Sequence, residues 1–163
     1  MARKRHFGNV RKLPSGKWQA RYRGPDGQLR PAERTFATQR EALRYLNDVE
    51  YKINNSTWSD PKARAQILSE YATDWLEHRD ITPRTRELYA DLLRLHIKPQ
   101  LGRMPLGAIS PVEVRRWHAD RLKATGKQRV RQAYSLLRTI LGTAVKDGLL
   151  PQNPCQIKVT ALI

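Results

Sequence analysis

One stretch decides the helical part of the fold: residues 82–102, TPRTRELYADLLRLHIKPQLG. Thr82 can cap the first free amides of a helix, and Pro83 suits the first helical position, where its missing amide hydrogen costs nothing. The stretch predicts a helix that begins at Thr82 and ends at Lys98–Pro99. Its apolar stripe follows the three- and four-residue spacing of one helix face and comprises Leu88, Leu92, Leu95 and, on the flank, Leu93.

Length and charge limit what the whole chain can be. Its 163 residues suit one domain or two small ones, and we expect two. The formal net charge of +16 attracts polyanions, so nucleic acid is the leading partner class. A membrane partner would require a bulky amphipathic face, a lipidation signal or a spanning helix, and the sequence shows none. The basic start MARKRHFGNV lacks the apolar core of a signal peptide, so we expect a cytoplasmic protein.

Neither a metal nor another cofactor is expected. The single Cys155 has no disulfide partner and no companions for zinc. The four histidines share no metal-ligand spacing, so surface or packed positions are their expected roles: His6, His78, His96 and His118.

The first third of the chain predicts a three-stranded antiparallel sheet packed on one helix. Trp18, Ala20 and Tyr22 alternate with polar residues, which is typical of a half-buried strand. Turn-forming sequences, PSG and GPDG, flank this strand, and Thr38 then caps a helix whose apolar side can cover the sheet. The expected strands are residues 8–13, 17–23 and 28–36.

The face of the sheet that this helix leaves uncovered is expected to carry hydrogen-bond donors. Gln19, Arg21 and Arg23 are predicted to project from it, joined by Arg30 and Arg34. Such a sheet can lie in a major groove, where Arg pairs with guanine and Gln with adenine. A solubilising role is the more common one for any single residue, but the set, in a chain of this charge, favours DNA.

The N-terminal tail is also basic. It is either a solvated terminus or an arm that lies along phosphates or in a minor groove, and the sequence does not favour one of these.

A family resemblance rests on the string SGKWQARYRGPDGQLR followed by RTFATQREALRYL. This segment resembles the arm-type DNA-binding domain, with an AP2-like sheet, at the N-terminus of phage and mobile-element integrases. The resemblance implies that the sheet binds arm-type DNA sites. The candidate residues of this domain are Arg3, Lys4, Arg5, Lys17, Gln19, Arg21, Arg23, Arg30 and Arg34.

From residue 67 onward the sequence predicts an all-α unit of four helices, after a linker at residues 55–66. The first helix is expected at residues 67–78, and the second is the stretch quoted above. Ser110 to Glu113 form a capping box that opens the third helix, whose apolar side includes Val114, Trp117 and Leu122. The fourth helix is expected at residues 127–147, closed by Gly148.

The fourth helix has two different halves. Its C-terminal half is apolar and is expected to be buried, while basic and amide side chains crowd its N-terminal half. Such a helix suits insertion into a major groove with phosphate contacts, and a merely solvated basic end is the alternative.

The order of short motifs in this helical part resembles the core-binding (SAM-like) domain of tyrosine recombinases. The motifs are TPRT with Tyr89, HIKPQLG, LGAISP and AVKDGLLPQNP, and the resemblance covers residues 67–158. It implies that the second and fourth helices meet the major groove of a core-type DNA site. The candidate residues are Arg84, Thr85, Arg86, Tyr89, Lys127, Gln128, Arg129, Arg131, Gln132 and Arg138.

The sequence therefore predicts an α+β fold with an arm-type β-β-β-α domain at residues 1–54 and a helical core-binding domain at residues 67–154. Residues 155–163 are expected to begin a linker to a catalytic domain that this chain lacks. The catalytic tyrosine, arginines and histidine of the family belong to that domain. We therefore assign no catalytic residue, and neither Tyr89 nor Tyr134 is taken as the nucleophile.

The expected function is site-specific binding of double-stranded DNA by the non-catalytic part of an integrase-type tyrosine recombinase. The sheet would bind arm-type sites and the helical domain core-type sites, with self-association on DNA in the full-length protein. The alternative is a basic RNA-binding or nucleoid-type protein without sequence preference.

Overall fold

The computed structural model describes residues 6–158 and divides into two compact units, with the boundary between Asp60 and Pro61. The first unit holds a three-stranded antiparallel sheet and one long helix, and the second is helical. The predicted α+β class is therefore confirmed. Within residues 6–158, no helix has the length and apolar character needed to cross a bilayer.

The sheet of the first unit has the strand order β1-β2-β3. Its strands are Asn9–Lys12 (β1), Trp18–Arg23 (β2) and Leu29–Pro31 (β3). Both pairings are antiparallel, with Val10 opposite Ala20 and Tyr22 opposite Arg30. The hairpin turns contain Gly16 and Gly27, whose φ angles of 82° and 76° lie in the left-handed region that favours glycine.

The third strand is shorter than the predicted 28–36. Regular pairing ends at Pro31, which has no amide hydrogen to donate to a ladder. The chain then bends and returns to the sheet at Phe36, whose backbone exchanges hydrogen bonds of 2.7 and 2.8 Å with Trp18. The segment between Pro31 and Phe36 is therefore a loop, and its side chains do not follow strand alternation.

Helix α1, Gln39–Asn54, covers one face of the sheet. It begins where the sequence predicted, because the Thr38 hydroxyl accepts a hydrogen bond from the Glu41 amide at 3.2 Å. Trp58, beyond the helix, returns to the same core and donates from Nε1 to the Tyr22 hydroxyl at 3.3 Å. The buried residues of this core are Ala20, Tyr22, Phe36, Ala42, Leu46 and Val49.

The second unit contains four longer helices joined by short helical segments. The longer ones are the four that the sequence predicted: Leu68–Glu77 (α3), Pro83–Leu92 (α4), Pro111–Ala124 (α6) and Lys127–Lys146 (α7). The short ones are Pro61–Arg64 (α2), a π-helical turn at Leu93–Ile97, Lys98–Leu101 (α5) and a 3₁₀ turn at Leu106–Ala108.

The sequence predicted that the helix beginning at Pro83 ends at Lys98–Pro99. In the structure it continues beyond these residues. It passes through the π turn, where the Lys98 amide donates to the carbonyl of Leu93 five residues earlier, and continues to Leu101. This wider turn accommodates Pro99, which has no hydrogen to donate to the regular α-helical ladder.

The π turn also changes which side chains face the core. One additional residue in a turn rotates the following side chains by about 100° around the helix axis. Leu93, Ile97 and Leu101 are consequently buried, whereas Leu95 is 49% exposed. The prediction that Leu95 belongs to the apolar stripe is therefore wrong.

The ends of the last two long helices follow local sequence signals. The Ser110 hydroxyl accepts a hydrogen bond from the Glu113 amide at 3.3 Å, and Gly148 has a φ of 77° just after α7. Leu122, in the last turn of α6, is 42% exposed, so its predicted place in the core is wrong. The buried side of α7 begins already at Val130, so burial is not confined to its C-terminal half.

Candidate nucleic-acid interface

The uncovered face of the sheet collects polar and basic side chains from β1 and β2. Side chains alternate along a strand, so Gln19, Arg21 and Arg23 point away from the face that holds Ala20 and Tyr22. The structure therefore places these three predicted residues on one open face, which we call the open sheet face. Lys17 is exposed in the turn just before β2.

Arg11, which is not among the residues predicted to bind DNA, also lies on the open sheet face. It stands opposite Gln19, and its Nε donates to Gln19 Oε1 at 2.9 Å. The signal that would have found it is the period of two in β1, where Val10 faces the core and the residues on either side of it face outward.

Arg21 and Arg23 differ in how they are held. The Nη1 of Arg23 donates to the carbonyl of Gly27 at 2.8 Å, which ties its side chain to the turn after β2. Arg21 is partly buried, and its Nε is covered without a hydrogen-bond partner. Arg21 is therefore the central cation of the open sheet face, between Asn9 on one side and Pro31 on the other.

Arg30 does not project from the open sheet face, and that prediction is wrong. It stands opposite Tyr22 and therefore lies on the side of the sheet that α1 covers. Its guanidinium binds Asp26 at 2.6 Å and Asp60 at 2.8 Å, and its Cζ lies 5.1 Å from the centroid of the Trp58 ring. With its side chain 14% exposed, Arg30 stabilises the first unit.

Arg34 is also absent from the open sheet face, contrary to prediction. It lies in the loop after β3, and its Cζ is 5.3 Å from the centroid of the Phe36 ring, which belongs to the core under α1. Because β3 ends at Pro31 and not at residue 36, strand alternation does not orient this side chain. The predicted tail residues Arg3, Lys4 and Arg5 lie outside the described residues.

In the helical unit, the first turn of α4 contains an exposed arginine and an arginine that bonds to the backbone of the preceding helix. Arg84 is exposed, and the Thr85 hydroxyl lies 2.9 Å from that of Thr82, which caps the helix. Arg86 instead donates to the backbone carbonyls of Leu76 and Arg79 at the end of α3, with 2.6 Å to Arg79. Arg86 therefore joins two helices, and its predicted availability for DNA is not supported by its contacts.

Tyr89 is partly buried rather than free at the surface. Its ring centroid lies 6.2 Å from that of Trp75, and it packs against the core of the helical unit. At the start of α4, Arg84 is therefore exposed and Thr85 is engaged with the cap, while Arg86 and Tyr89 hold the helix in place.

The start of α7 is a second basic surface of the same unit. Its first turn contains no acidic residue, and Gly126 precedes it without a side-chain cap. Lys127, Arg129 and Arg131 are exposed and form no ion pair with any described residue. Gln128 and Arg138 are exposed as well, whereas Gln132 is partly buried with its Oε1 3.5 Å from Arg129.

The part of the chain that the structure describes contains no cluster of His, Cys, Asp and Glu suited to a metal ion. Cys155 is buried, and this burial raises the pKa of its thiol to about 12. At neutral pH the side chain is therefore a neutral member of the helical core.

The two units match two families of known domains. The family described as "Phage integrase, N-terminal domain" matches residues 6–55. The family described as "Phage integrase, N-terminal SAM-like domain" matches residues 67–120.

Similar proteins share both units. The prophage phiRv2 integrase of Mycobacterium tuberculosis is 39% identical over 158 aligned positions, which cover 94% of this chain and 42% of that protein. The integrase of Mycobacterium phage D29 is 35% identical over 168 positions, covering 98% of this chain and 45% of that protein. This chain thus spans less than half the length of the curated relatives it matches.

A solved structure shows the same fold. The crystal structure of a lambda integrase dimer bound to a COC' core site superposes with a TM-score of 0.55 at 15% sequence identity, covering 99% of this chain and 48% of that one. The two domain matches and the mycobacterial relatives are all phage integrases, and the shared fold is that of an integrase as well. Through its N-terminal and SAM-like domains, this chain belongs to the phage integrase family.

Proposed function

We propose that this chain binds double-stranded DNA at specific sites, as the N-terminal DNA-binding portion of an integrase-type tyrosine recombinase. The open sheet face contacts arm-type sites, and the starts of α4 and α7 contact core-type sites. The observation that carries the proposal is the shared orientation of Arg11, Gln19, Arg21 and Arg23 on the face that α1 leaves uncovered.

The chemistry of the open sheet face supports base recognition. Arginine can bind the two acceptors of guanine in the major groove, and glutamine can bind the acceptor and donor of adenine. A sheet presents such side chains from neighbouring strands at a fixed spacing. The hydrogen bond from Arg11 to Gln19 holds one of these side chains in a defined orientation before DNA arrives.

The helical unit supports contact with phosphates. Exposed cations at the starts of α4 and α7 lie where the backbone amides of a helix also attract anions. Arg84, Lys127, Arg129 and Arg131 are the phosphate-binding residues in this proposal. The lambda integrase of similar fold was solved on DNA as a dimer and as a tetramer, which supports DNA as the partner and self-association on it.

We assign no step of strand cleavage to Tyr89 or Tyr134. Tyr89 packs on Trp75, and Tyr134 is buried with its hydroxyl engaged by the backbone of Ile157 at 2.9 and 3.2 Å. The hydroxyl of Tyr134 is therefore occupied within the fold, and the ring of Tyr89 is part of the packing of the helical unit.

The test is selection of preferred duplexes from a random pool, followed by binding measurements on the selected and on scrambled DNA. Arg21→Ala should remove most of the preference, since a good bidentate base contact contributes about 1–3 kcal/mol of discrimination. Arg34→Ala is the matched control, because this exposed arginine lies in the loop after β3, with its Cζ over the ring of Phe36 and away from the open sheet face. If Arg21→Ala weakened binding to the selected and the scrambled duplex equally, or if the chain bound RNA as tightly as DNA, the chain would instead be a basic protein without sequence preference.

A further inference from the structure

The open sheet face has an apolar edge along β3. In the antiparallel pairing of β2 with β3, Leu29 stands opposite Arg23 and Pro31 stands opposite Arg21. Directly opposed residues of two strands point to the same side of a sheet, so Leu29 and Pro31 share the face of the two arginines. Leu29 is a large hydrophobic side chain that is 49% exposed. The open sheet face therefore combines cations on β1 and β2 with an uncovered apolar group on β3.

The strand pairing brings Leu29 close to Arg23. The Gly24 amide donates to the Gln28 carbonyl at 3.0 Å, which makes these two residues a hydrogen-bonded pair. Such pairs alternate along an antiparallel ladder with pairs that share no hydrogen bond, in which the side chains lie closer together. Leu29 and Arg23 form a pair of this second kind, and the Cβ atoms of directly opposed residues lie about 4.5–5.5 Å apart.

The backbone that presents Leu29 and Arg23 is held by side-chain contacts. Arg23 Nη1 donates to the Gly27 carbonyl at 2.8 Å, across the turn between the two strands. Arg30 follows Leu29 on the opposite side of β3 and binds Asp26 of the same turn at 2.6 Å. These bonds fix the turn and the beginning of β3. A partner therefore meets the leucine and the arginine at a defined spacing, with little loss of freedom on binding.

The charge around Leu29 favours DNA over a protein partner. Arg11, Arg21 and Arg23 lie on the same face, and none of the strand positions on this face holds an acidic residue. This positive charge attracts a polyanion and repels a second copy of the chain. Pro31 also disfavours the addition of a further strand at β3, because it has no amide hydrogen to donate. In the major groove of DNA, the apolar group is the C5-methyl of thymine.

We propose that Leu29 contacts the C5-methyl group of a thymine, in the same base pair as the base that Arg23 binds or in an adjoining one. This inference rests on the proposed function, and it adds a residue that determines which base is preferred. Successive base pairs are about 3.4 Å apart, a step comparable to the spacing of the two side chains. Leu29 thereby selects thymine over cytosine, which has no methyl group at this position.

The first experiment removes only the methyl group. In the preferred duplex, each thymine is replaced in turn by deoxyuridine, and binding of the 163-residue chain is measured by titration. At one thymine, the replacement should weaken binding about fourfold, the effect of exposing one buried methyl-sized group. Leu29→Ala should bind the thymine and deoxyuridine duplexes equally, whereas Leu29→Met, which keeps an apolar side chain, should retain the difference.

Val112→Ala is the matched control, because Val112 is a branched apolar residue of similar exposure, 51%, on α6. It should keep the full sensitivity to deoxyuridine. A preferred duplex that accepts deoxyuridine at every thymine, or a sensitivity that persists in Leu29→Ala, would overturn this inference and leave the proposed function intact. If no duplex is preferred, both fail. A change in the oligomeric state of the free chain in Leu29→Ala, without a change in deoxyuridine sensitivity, would instead identify the edge as a protein contact.

The second experiment tests the spacing between the two contacts. Replacement of each guanine by 7-deazaguanine removes the N7 acceptor that an arginine can bind. The guanine whose replacement no longer matters in Arg23→Ala should lie in the same base pair as the thymine whose methyl no longer matters in Leu29→Ala, or in an adjoining pair. A separation of three or more base pairs would show that the two side chains do not act as neighbours, and would overturn the arrangement.

Discussion

Arg11 and Gln19 are joined across β1 and β2 by a hydrogen bond of 2.9 Å from the guanidinium Nε to the amide oxygen. The bond orients the amide of Gln19 and leaves its NH₂ group, with the outer nitrogens of Arg11, to face a partner. The pair should therefore act in recognition as one unit.

A double-mutant cycle tests this coupling. Arg11→Ala and Gln19→Ala should each reduce the preference for selected over scrambled DNA, and the double variant should lose less than the sum. Residues that share a hydrogen bond typically show coupling of about 0.5–3 kcal/mol, and we expect about 1 kcal/mol here. Losses that add within about 0.5 kcal/mol would show that the two residues bind independently.

Arg86 and Arg84, two residues apart on α4, should affect different properties: Arg86 the stability of the helical unit and Arg84 the binding of DNA. Arg86→Ala leaves the carbonyls of Leu76 and Arg79 without their charged donor, so the free energy of unfolding should fall by about 2 kcal/mol. Arg84→Ala removes an exposed cation and should change stability by less than about 0.5 kcal/mol while weakening DNA binding. Urea unfolding and a DNA titration of both variants measure this difference, and equal stability of the two would contradict the role of Arg86.

Trp58 should stabilise the first unit although it follows the last helix of that unit. Trp58→Ala removes a partly buried ring and its hydrogen bond to Tyr22, so the free energy of unfolding should fall by about 2–3 kcal/mol. Trp58→Phe keeps most of the packing and should cost about 1 kcal/mol, the usual contribution of one hydrogen bond. Tyr51→Ala serves as the control, because this side chain is 68% exposed. A Trp58→Ala variant as stable as this control would show that residues 56–60 are not part of the unit.

Asp26 should make the first unit sensitive to acid. The hydrogen bond from Arg30, assisted by the Gln28 amide, lowers the pKa of Asp26 to about 2. Because the unfolded pKa is about 3.9, the unfolded chain binds more protons between these two values, so stability is present above pH 4 and is lost toward pH 2. Asp26→Asn should lose this part of the pH dependence in thermal unfolding at pH 5 and pH 2.5. A direct NMR titration of the Asp26 carboxylate should give a midpoint near 2, and a midpoint near 4 would exclude the ion pair in solution.

Local chemistry allowed much of the fold to be predicted from the sequence. Thr38, Thr82 and Ser110 cap the helices that follow them, because a side-chain oxygen reaches the free amides only two or three residues away. Gly148 ends α7 for an equally local reason, its positive φ. The open sheet face was also predictable from neighbouring residues, because alternation along β2 alone orients Gln19, Arg21 and Arg23 to one side.

The tertiary structure decided which of the predicted site residues are available. Strand register put Arg30 beside Tyr22, Asp26 and Asp60, and helix packing directed Arg86 to carbonyls at the end of α3. Beyond the π turn, packing of the helical unit buries Ile97 and Leu101, while Leu95 is left exposed. The sequence by itself determined the elements and their charge, because those depend on neighbouring residues. Only the tertiary structure separated arginines that stabilise the fold from those that remain on the open surface, because that choice depends on contacts between residues distant in the chain.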